Sequence, residues 1–472
     1  MIKKQLKYLL PILVPLFILL LPADSFGIAG MTLIEQRIIA IFVMATLCWI
    51  LEPIPIYATS VLIIVLELLL VSDKGLWFTK QAPPEILGNT IDHKIIMGTF
   101  ASPIIMLFLG GFFLAMAATK YRLDVNLARV LLKPFGQNPK FVMLGLMMIT
   151  AIFSMFMSNT ATTAMMLSIL TPVLALFSKK DLGRVAFALS VPVAANIGGI
   201  GTPIGTPPNA VALKYLVNEN SISFGGWMVF GVPFVVVMLF IAWLLLTSLF
   251  PASIKEINLN IKGRFLKTPK AIMVYVTFVV TILLWLMGSL HGMNSYVVAL
   301  IPVAVFSVFK IITKEDLKKI SWDVLWLVSG GIALGVGLDK SGLAANAIEA
   351  IPFADFHPLL LIVGASVLCL LMANFMSHTA SANLLLPLVA ALGASMHSLL
   401  PYGGEVILIL AVTFAASLGM SLPISTPPNA LAYASGHIET KQMAKVGIIL
   451  GITGILISYA MLYILKQTSF FG

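Results

Sequence analysis

Two stretches of this chain interrupt apolar surroundings in the same way. Residues 199–210 read GIGTPIGTPPNA and residues 419–430 read GMSLPISTPPNA, 220 residues further on, with Thr-Pro-Pro-Asn-Ala in common. Proline lacks a backbone N–H and clashes with the preceding turn, so a Pro-Pro pair ends a helix. Both pairs fall where the flanking sequence is apolar enough and long enough to cross a bilayer. Non-helical backbone at that depth survives only when it is buried in protein or lines a cavity. A chain with two such breaks at matching positions must therefore enclose both.

Composition agrees with a membrane setting. Of 472 residues, 60% are hydrophobic and 10% charged, against roughly a quarter charged in a soluble domain. The chain reads as an all-α polytopic membrane protein. Its net charge of +10 does not point to nucleic acid, because the basic residues sit in short interhelical loops, the pattern of cytoplasmic loops facing anionic lipid. Cys48 and Cys369 are isolated in apolar runs and form neither a disulfide framework nor a metal site. The opening MIKKQLKYLLPILVPLFILLLPADSFG has the Lys-rich head and apolar run of a signal peptide, but no clear A-x-A site follows. It is expected to be a retained first helix.

Apolar runs lie near 8–22, 34–51, 54–71, 95–118, 141–177, 185–217, 227–250, 271–290, 295–312, 321–340, 359–397, 406–435 and 446–465. The 141–177 and 359–397 runs are too long for one crossing. Each carries a polar triplet at its centre, Ser158-Asn159-Thr160 and Ser377-His378-Thr379. Lys133, Lys140, Lys179, Lys180 and Arg184 flank the first run. Asp355, His357, His397 and Glu405 flank the second, and no Lys or Arg occurs from 341 to 440. By the positive-inside rule, each is a re-entrant hairpin, the first entering from the cytoplasm and the second from outside. Five single spans between them, an odd number, agree with opposite faces. The N-terminus then lies in the cytoplasm and the C-terminus outside, as for a plasma (bacterial inner) membrane protein. The weak point is the 72–94 loop, placed outside despite Lys74, Lys80 and Lys94.

The duplication extends further. Residues 107–114 (LFLGGFFL) match 327–334 (LVSGGIAL), again 220 apart. The expected architecture is two inverted five-span repeats, 34–250 and 271–465, joined by a basic cytoplasmic linker at 251–270. With the extra helix in 1–33, this gives 11 spans and two hairpins. Inverted repeats of this kind are a design of secondary transporters, with the site near the midplane where the halves meet.

Every break is followed by a helix start. Thr206 and Thr426 are expected N-caps, with Pro207 and Pro427 at the first helical position. Ser158–Thr160 and Ser377–Thr379 open the returning hairpin arms. If the four breaks meet, helix N-termini, hydroxyls and the amides of Asn159, Asn209 and Asn429 form an anion site without Arg or Lys. Gly110, Gly111, Gly330 and Gly331 are assigned to close helix packing. A hydrolase reading through Ser377 and His378 fails, since adjacency in sequence does not give nucleophile–base geometry. The chain is not expected to be an enzyme.

The paired triplets, the two T-P-P-N-A breaks, Glu52-Pro53-Ile54-Pro55 and the eleven-span, two-hairpin plan resemble the divalent anion/sodium symporter family across essentially the whole chain. The resemblance implies transport of di- or tricarboxylates by a homodimer working as an elevator, with no cofactor and no tightly bound metal. The scaffold is expected in 34–71 and 271–312, the remainder forming the moving domain. It also implies substrate contacts at both triplets and both breaks, and a sodium site at each tip. Ser154, Ser158, Asn159 and the carbonyls near Gly198 and Gly199 keep the ligand types of the first site. In the second, His378 stands in place of an Asn and Ala373 in place of Ser154, so that site is expected to be lost for sodium. Either His378 supplies built-in positive character to the substrate, or it is a neutral ring hydrogen-bonded within the tip. A tethered charge left behind in an empty carrier opposes its return. The expected function is therefore sodium-independent dicarboxylate exchange; the alternative is sodium- or proton-coupled symport.

Overall fold

The computed structural model describes the chain except residues 1, 29, 179–180, 258–262, 351–355, 469 and 471–472. Lys179, Lys180 and Asp355, used above to set sidedness, lie outside the described residues, as does the centre of the 251–270 linker. The principal helices are α1 (Ile2–Leu20), α2 (Leu33–Leu51), α3 (Ile56–Leu70), α4 (Pro103–Lys120), α5 (Pro139–Phe156), α6 (Asn159–Leu174), α7 (Leu182–Gly199), α8 (Pro207–Leu213) and α9 (Phe224–Leu249). They continue as α10 (Pro269–Leu286), α11 (Ser295–Val308), α12 (Trp322–Ser341), α13 (Pro358–Phe375), α14 (His378–Ser395), α15 (Gly404–Leu418), α16 (Pro427–Ala434) and α17 (Thr440–Gln467).

Among the described residues, nine helices are long and apolar enough to cross a membrane, and four shorter apolar helices accompany them. Two of the nine, α5 and α13, are the outgoing arms of hairpins and turn back at 157–158 and 376–377. Removing them and adding the short helices leaves eleven spans. The fold is thus the expected all-α membrane architecture of two five-span halves, an extra first helix and two hairpins.

The halves pack reciprocally. α4 lies on α11 and α3 on α12; α5 lies on α7 and α13 on α15. Short helix α8 packs on hairpin arm α14, and α16 on α6. These exchanges across the halves hold each break against the other half's hairpin. Glycine allows the closest approaches: a Cβ on Gly110 would strike Ala299 of α11, and one on Gly330 would strike Ser60 of α3. The packing role expected for Gly110 and Gly330 is what the geometry gives them.

The extra helix is tied down by Gln36, whose Nε2 donates to the carbonyls of Ile18 and Leu21 at 2.8 and 2.6 Å. The basic loops gather at one end of the molecule. Lys120 Nζ reaches the Ile311 carbonyl and Asp316, Asn126 reaches the Arg264 carbonyl, and Lys270 Nζ reaches the Lys310 carbonyl. One run reads differently from its sequence pattern. The expected 95–118 span divides into a short helix, His93–Gly98, and α4, because Ser102 caps a new start with Pro103 in its first turn.

Candidate functional site

Proline dictates the local structure at the breaks. Pro207-Pro208 and Pro427-Pro428 occupy the first turns of α8 and α16, where a missing N–H is least costly. The chain before each pair cannot be helical, and its carbonyls need other donors. Asn209 and Asn429 supply them. Asn209 Nδ2 lies within bonding distance of the carbonyls of Gly199, Ile200 and Thr202 at 3.2, 3.1 and 2.8 Å. Asn429 Nδ2 donates to Met420 and Leu422 at 2.8 and 3.0 Å. Both asparagines are buried, and neither lines the cavity described below. Their Nδ2 groups are engaged in holding the breaks, while Asn209 Oδ1 is buried with no partner among the described residues.

The hairpin tips are capped as expected. Ser158 accepts from the Ala161 N–H at 3.2 Å and Ser377 from the Ala380 N–H at 3.1 Å. Thr426 accepts from the Asn429 N–H at 3.2 Å, whereas Thr206 makes no side-chain cap. Each tip is fastened to its own break. Thr202 donates to the Met155 carbonyl, and Ser425 donates to the Asn374 carbonyl at 2.9 Å.

The four breaks converge. One cavity of about 360 Å³ is lined by Ser158, Asn159, Thr160, Thr206 and Pro207 from the first half and by Ser377, His378, Thr379, Thr426 and Pro427 from the second. The N-termini of α6, α8, α14 and α16 thus open on one space. A volume of this size is enough for a small polar molecule. Among its lining residues no Lys or Arg occurs; Asp323, exposed in the first turn of α12, is the one carboxylate. Tyr57 and Asp323, at the starts of α3 and α12, also line it. The arrangement favours an anion through free N–H groups and aligned peptide dipoles.

The two halves differ in what surrounds each tip. In the first, buried Ser154 Oγ lies 2.6 Å from Asn159 Oδ1 and 2.7 Å from the Ala195 carbonyl. A hydroxyl has one proton and can satisfy only one of these acceptors. Three oxygens with one proton between them suit a small hard cation, which takes oxygen ligands. Gly199 lies alongside: a Cβ there would sit 2.7 Å from Asn159 Oδ1. Gly198 is pressed against Ala151, and Ser158 is engaged as a cap. In the second half, His378 Nε2 donates to the Gly419 carbonyl at 2.8 Å. Gly419 corresponds to Gly199, and a Cβ on it would meet Ala373, which occupies the place of Ser154. An N–H therefore points at the carbonyl that corresponds to that of Gly199, and the serine hydroxyl is missing. A neutral ring is sufficient to make this bond.

Asn196 was not visible in the sequence pattern. Its Nδ2 reaches Thr426 Oγ1 at 3.2 Å and Asn429 Oδ1 at 3.1 Å, joining the halves beside the cavity it lines. The repeat offers no hint, since position 416 is Ala; the one available signal is an Asn inside an apolar helix. Asn429→Leu removes the Asn196–Asn429 half of this link and the donor to the Met420 and Leu422 carbonyls. Each unsatisfied buried group costs about 1–3 kcal/mol. The variant's melting temperature in detergent is expected to fall by several degrees, measurable by nano-scale fluorimetry.

Away from the cavity, Asp73, Asp92 and His93 stand close together in the 72–94 loop. Their contacts are those of a hydrogen-bonded turn: the His93 backbone N–H donates to Asp73 at 2.8 Å and holds that carboxyl below the usual range.

The fold and this cavity define a polytopic transporter built from inverted repeats, with its polar space where interrupted helices meet. Comparison with known proteins agrees. The family described as "Sodium:sulfate symporter transmembrane region" matches residues 2–466. The sodium-dependent dicarboxylate transporter SdcS of Staphylococcus saprophyticus is 29% identical over 96% of this chain and 90% of its own length. SdcS of Staphylococcus aureus is 30% identical over 87% and 82%, and an uncharacterized transporter of Haemophilus influenzae is 30% identical over 90% of each. The crystal structure of the Alcanivorax borkumensis YdaH transporter shares the fold, with a TM-score of 0.53 at 12% identity over 79% of this chain and 87% of that one. The chain belongs to the sodium:sulfate symporter family, the divalent anion/sodium symporter group that its motifs resemble.

Proposed function

We propose that this chain is a secondary transporter of small dicarboxylates coupled to sodium through the first half. The observation that carries the reading is the asymmetry of the tips: Ser154, Asn159 and the Ala195 carbonyl keep an oxygen cluster, whereas His378 fills the equivalent place. The relatives named as sodium-dependent dicarboxylate transporters support the same coupling. Substrate carboxylates would meet the helix starts at Ser158–Thr160 and Ser377–Thr379, with Thr206, Pro207, Thr426 and Pro427 closing the sides.

This favours the alternative over the exchange expected from sequence. The exchange argument needs a charge fixed at His378, and a neutral ring accounts for its hydrogen bond. Loss of the second cation site still favours exchange as the second reading. The gathering of basic loops at one end supports a cytoplasmic placement for that end, with the N-terminus inside, the C-terminus outside and the cavity reached from the cytoplasm. The two repeats, 34–250 and 271–465, a scaffold around 34–71 and 271–312, elevator movement and a homodimer complete the proposal.

Uptake of labelled succinate into proteoliposomes tests it. With no internal dicarboxylate, an inward sodium gradient is expected to drive accumulation. Uptake that needs internal dicarboxylate and ignores sodium would establish exchange instead. No dicarboxylate uptake under either condition would remove the substrate class. His378→Asn with Ala373→Ser rebuilds the oxygen pattern of the first half, and is expected to raise the Hill coefficient for sodium by about one. An unchanged coefficient would count against the role given to His378.

A further inference from the structure

Glu67 lies in the apolar helix α3 and is fully buried. Neither carboxyl oxygen has a hydrogen-bond partner among the described residues. Its side chain is aimed at α12, where the absent side chain of Gly337 makes room: a Cβ there would lie 2.6 Å from Glu67 Oε1 and 2.8 Å from Ile38 Cδ1. Two residues earlier on α12, a Cβ at Gly335 would lie 2.5 Å from Lys214 Nζ and would also strike the Tyr215 hydroxyl. Positions two apart on a helix face nearly opposite directions. Glu67 and Lys214 therefore approach α12 from opposite sides, ~10 Å apart across the width of a helix. Lys214 Nζ donates to the Ile332 carbonyl at 2.7 Å and sits 5.0 Å from the Tyr215 ring centre.

We propose that Glu67 is an intramembrane proton-binding site whose occupancy is set by the position of Lys214 across α12. A bare carboxylate without hydrogen bonds in a membrane interior is far less favourable than the neutral acid. The opposing influence is the lysine charge, which favours ionisation. The remaining charged groups on the neighbouring elements are engaged elsewhere. On α2, Glu35 is held by Thr32 and Asn346, and Arg37 donates to the Leu70 and Thr79 carbonyls. On 93–98, His93 pairs with Asp73 and Asp92, and Lys94 is exposed. On α12, Asp339 pairs with Lys340 at 3.2 Å and also lies within electrostatic reach of Lys214, and Asp323 lies at the far end of the helix.

Lys214 directly follows α8, the helix that begins at the cavity with Thr206 and Pro207. Movement of α8 relative to α3 moves the lysine charge relative to Glu67. When the charge comes closer, the proton leaves; when it withdraws, the proton returns. The consequence for uptake rests on the transporter reading above, whereas the proton site itself does not.

Infrared spectroscopy of the purified protein in lipid separates the two. A protonated-carboxyl band is expected at neutral pH in the native chain, absent from Glu67→Gln, a near-isosteric change checked for folding by gel filtration. In Lys214→Met the band should disappear at a pH higher by about one unit, the effect of one charge at this range. No Glu67 band at neutral pH, or an identical midpoint in Lys214→Met, overturns the proposal. In proteoliposomes Glu67→Gln should flatten the pH profile of uptake; an unchanged profile would overturn the link to transport while leaving the infrared result to judge the site.

Discussion

A valine at Gly205 is expected to reduce uptake at least a hundredfold while leaving the protein inserted and extractable. Gly205 sits inside the first break. Its N–H is received by Thr202 Oγ1 at 3.1 Å. A Cβ on Gly205 would overlap the carbonyl oxygen of Gly199 and lie 2.9 Å from that residue's carbonyl carbon and Cα. The obstruction is backbone, so no rotamer change relieves it. Gly199 cannot retreat, because Asn209 holds the carbonyls of Gly199, Ile200 and Thr202 and Asn159 lies directly behind it. The break must therefore open, displacing the start of α8 and the oxygen cluster at the first tip together. Gly364→Ala is the control: nothing lies within 4 Å of its Cβ, and its initial rate should stay within twofold of the native chain.

The second large effect is expected from Ser154→Ala. The variant deletes the hydroxyl between Asn159 and the Ala195 carbonyl and copies what position 373 already has in the other half. Sodium at half-maximal uptake should rise more than tenfold. The Michaelis constant for dicarboxylate at saturating sodium should change less than threefold, since Ser154 is buried and does not line the cavity. Initial rates across a sodium series decide it. Equal sensitivity to sodium in the two proteins would mean that the oxygen cluster is only structural.

The membrane architecture was legible because its signals repeat. The Thr-Pro-Pro-Asn-Ala breaks, the polar triplets and the 107–114/327–334 match occur once in each half, and local chemistry is enough to place a break wherever proline removes a donor. The convergence of the triplets on one cavity followed from the same symmetry. What sequence misplaced was the direction of side chains. Asn209 and Asn429 share the polar character of the cavity residues, but carbonyls stripped of helical partners by proline compete for the same amides and win. Thr206 occupies a cap position without capping. Asn196 bridges the halves without a counterpart, so the duplication carries no trace of it. Glu67 and Lys214 are 147 positions apart and reach opposite sides of α12 where Gly337 and Gly335 leave room for them.

The account stands on one arrangement: a dicarboxylate held between the two hairpin tips by helix starts from both halves. A cryo-electron microscopy map of the protein in nanodiscs, with saturating succinate and sodium, tests this most directly. The expected map has substrate density between residues 158–160 and 377–379, with a separate feature at Ser154 and Asn159. Density lodged instead in a separate cavity of about 380 Å³ lined by Pro203, Trp285 and Tyr296, with the tips empty, would contradict it.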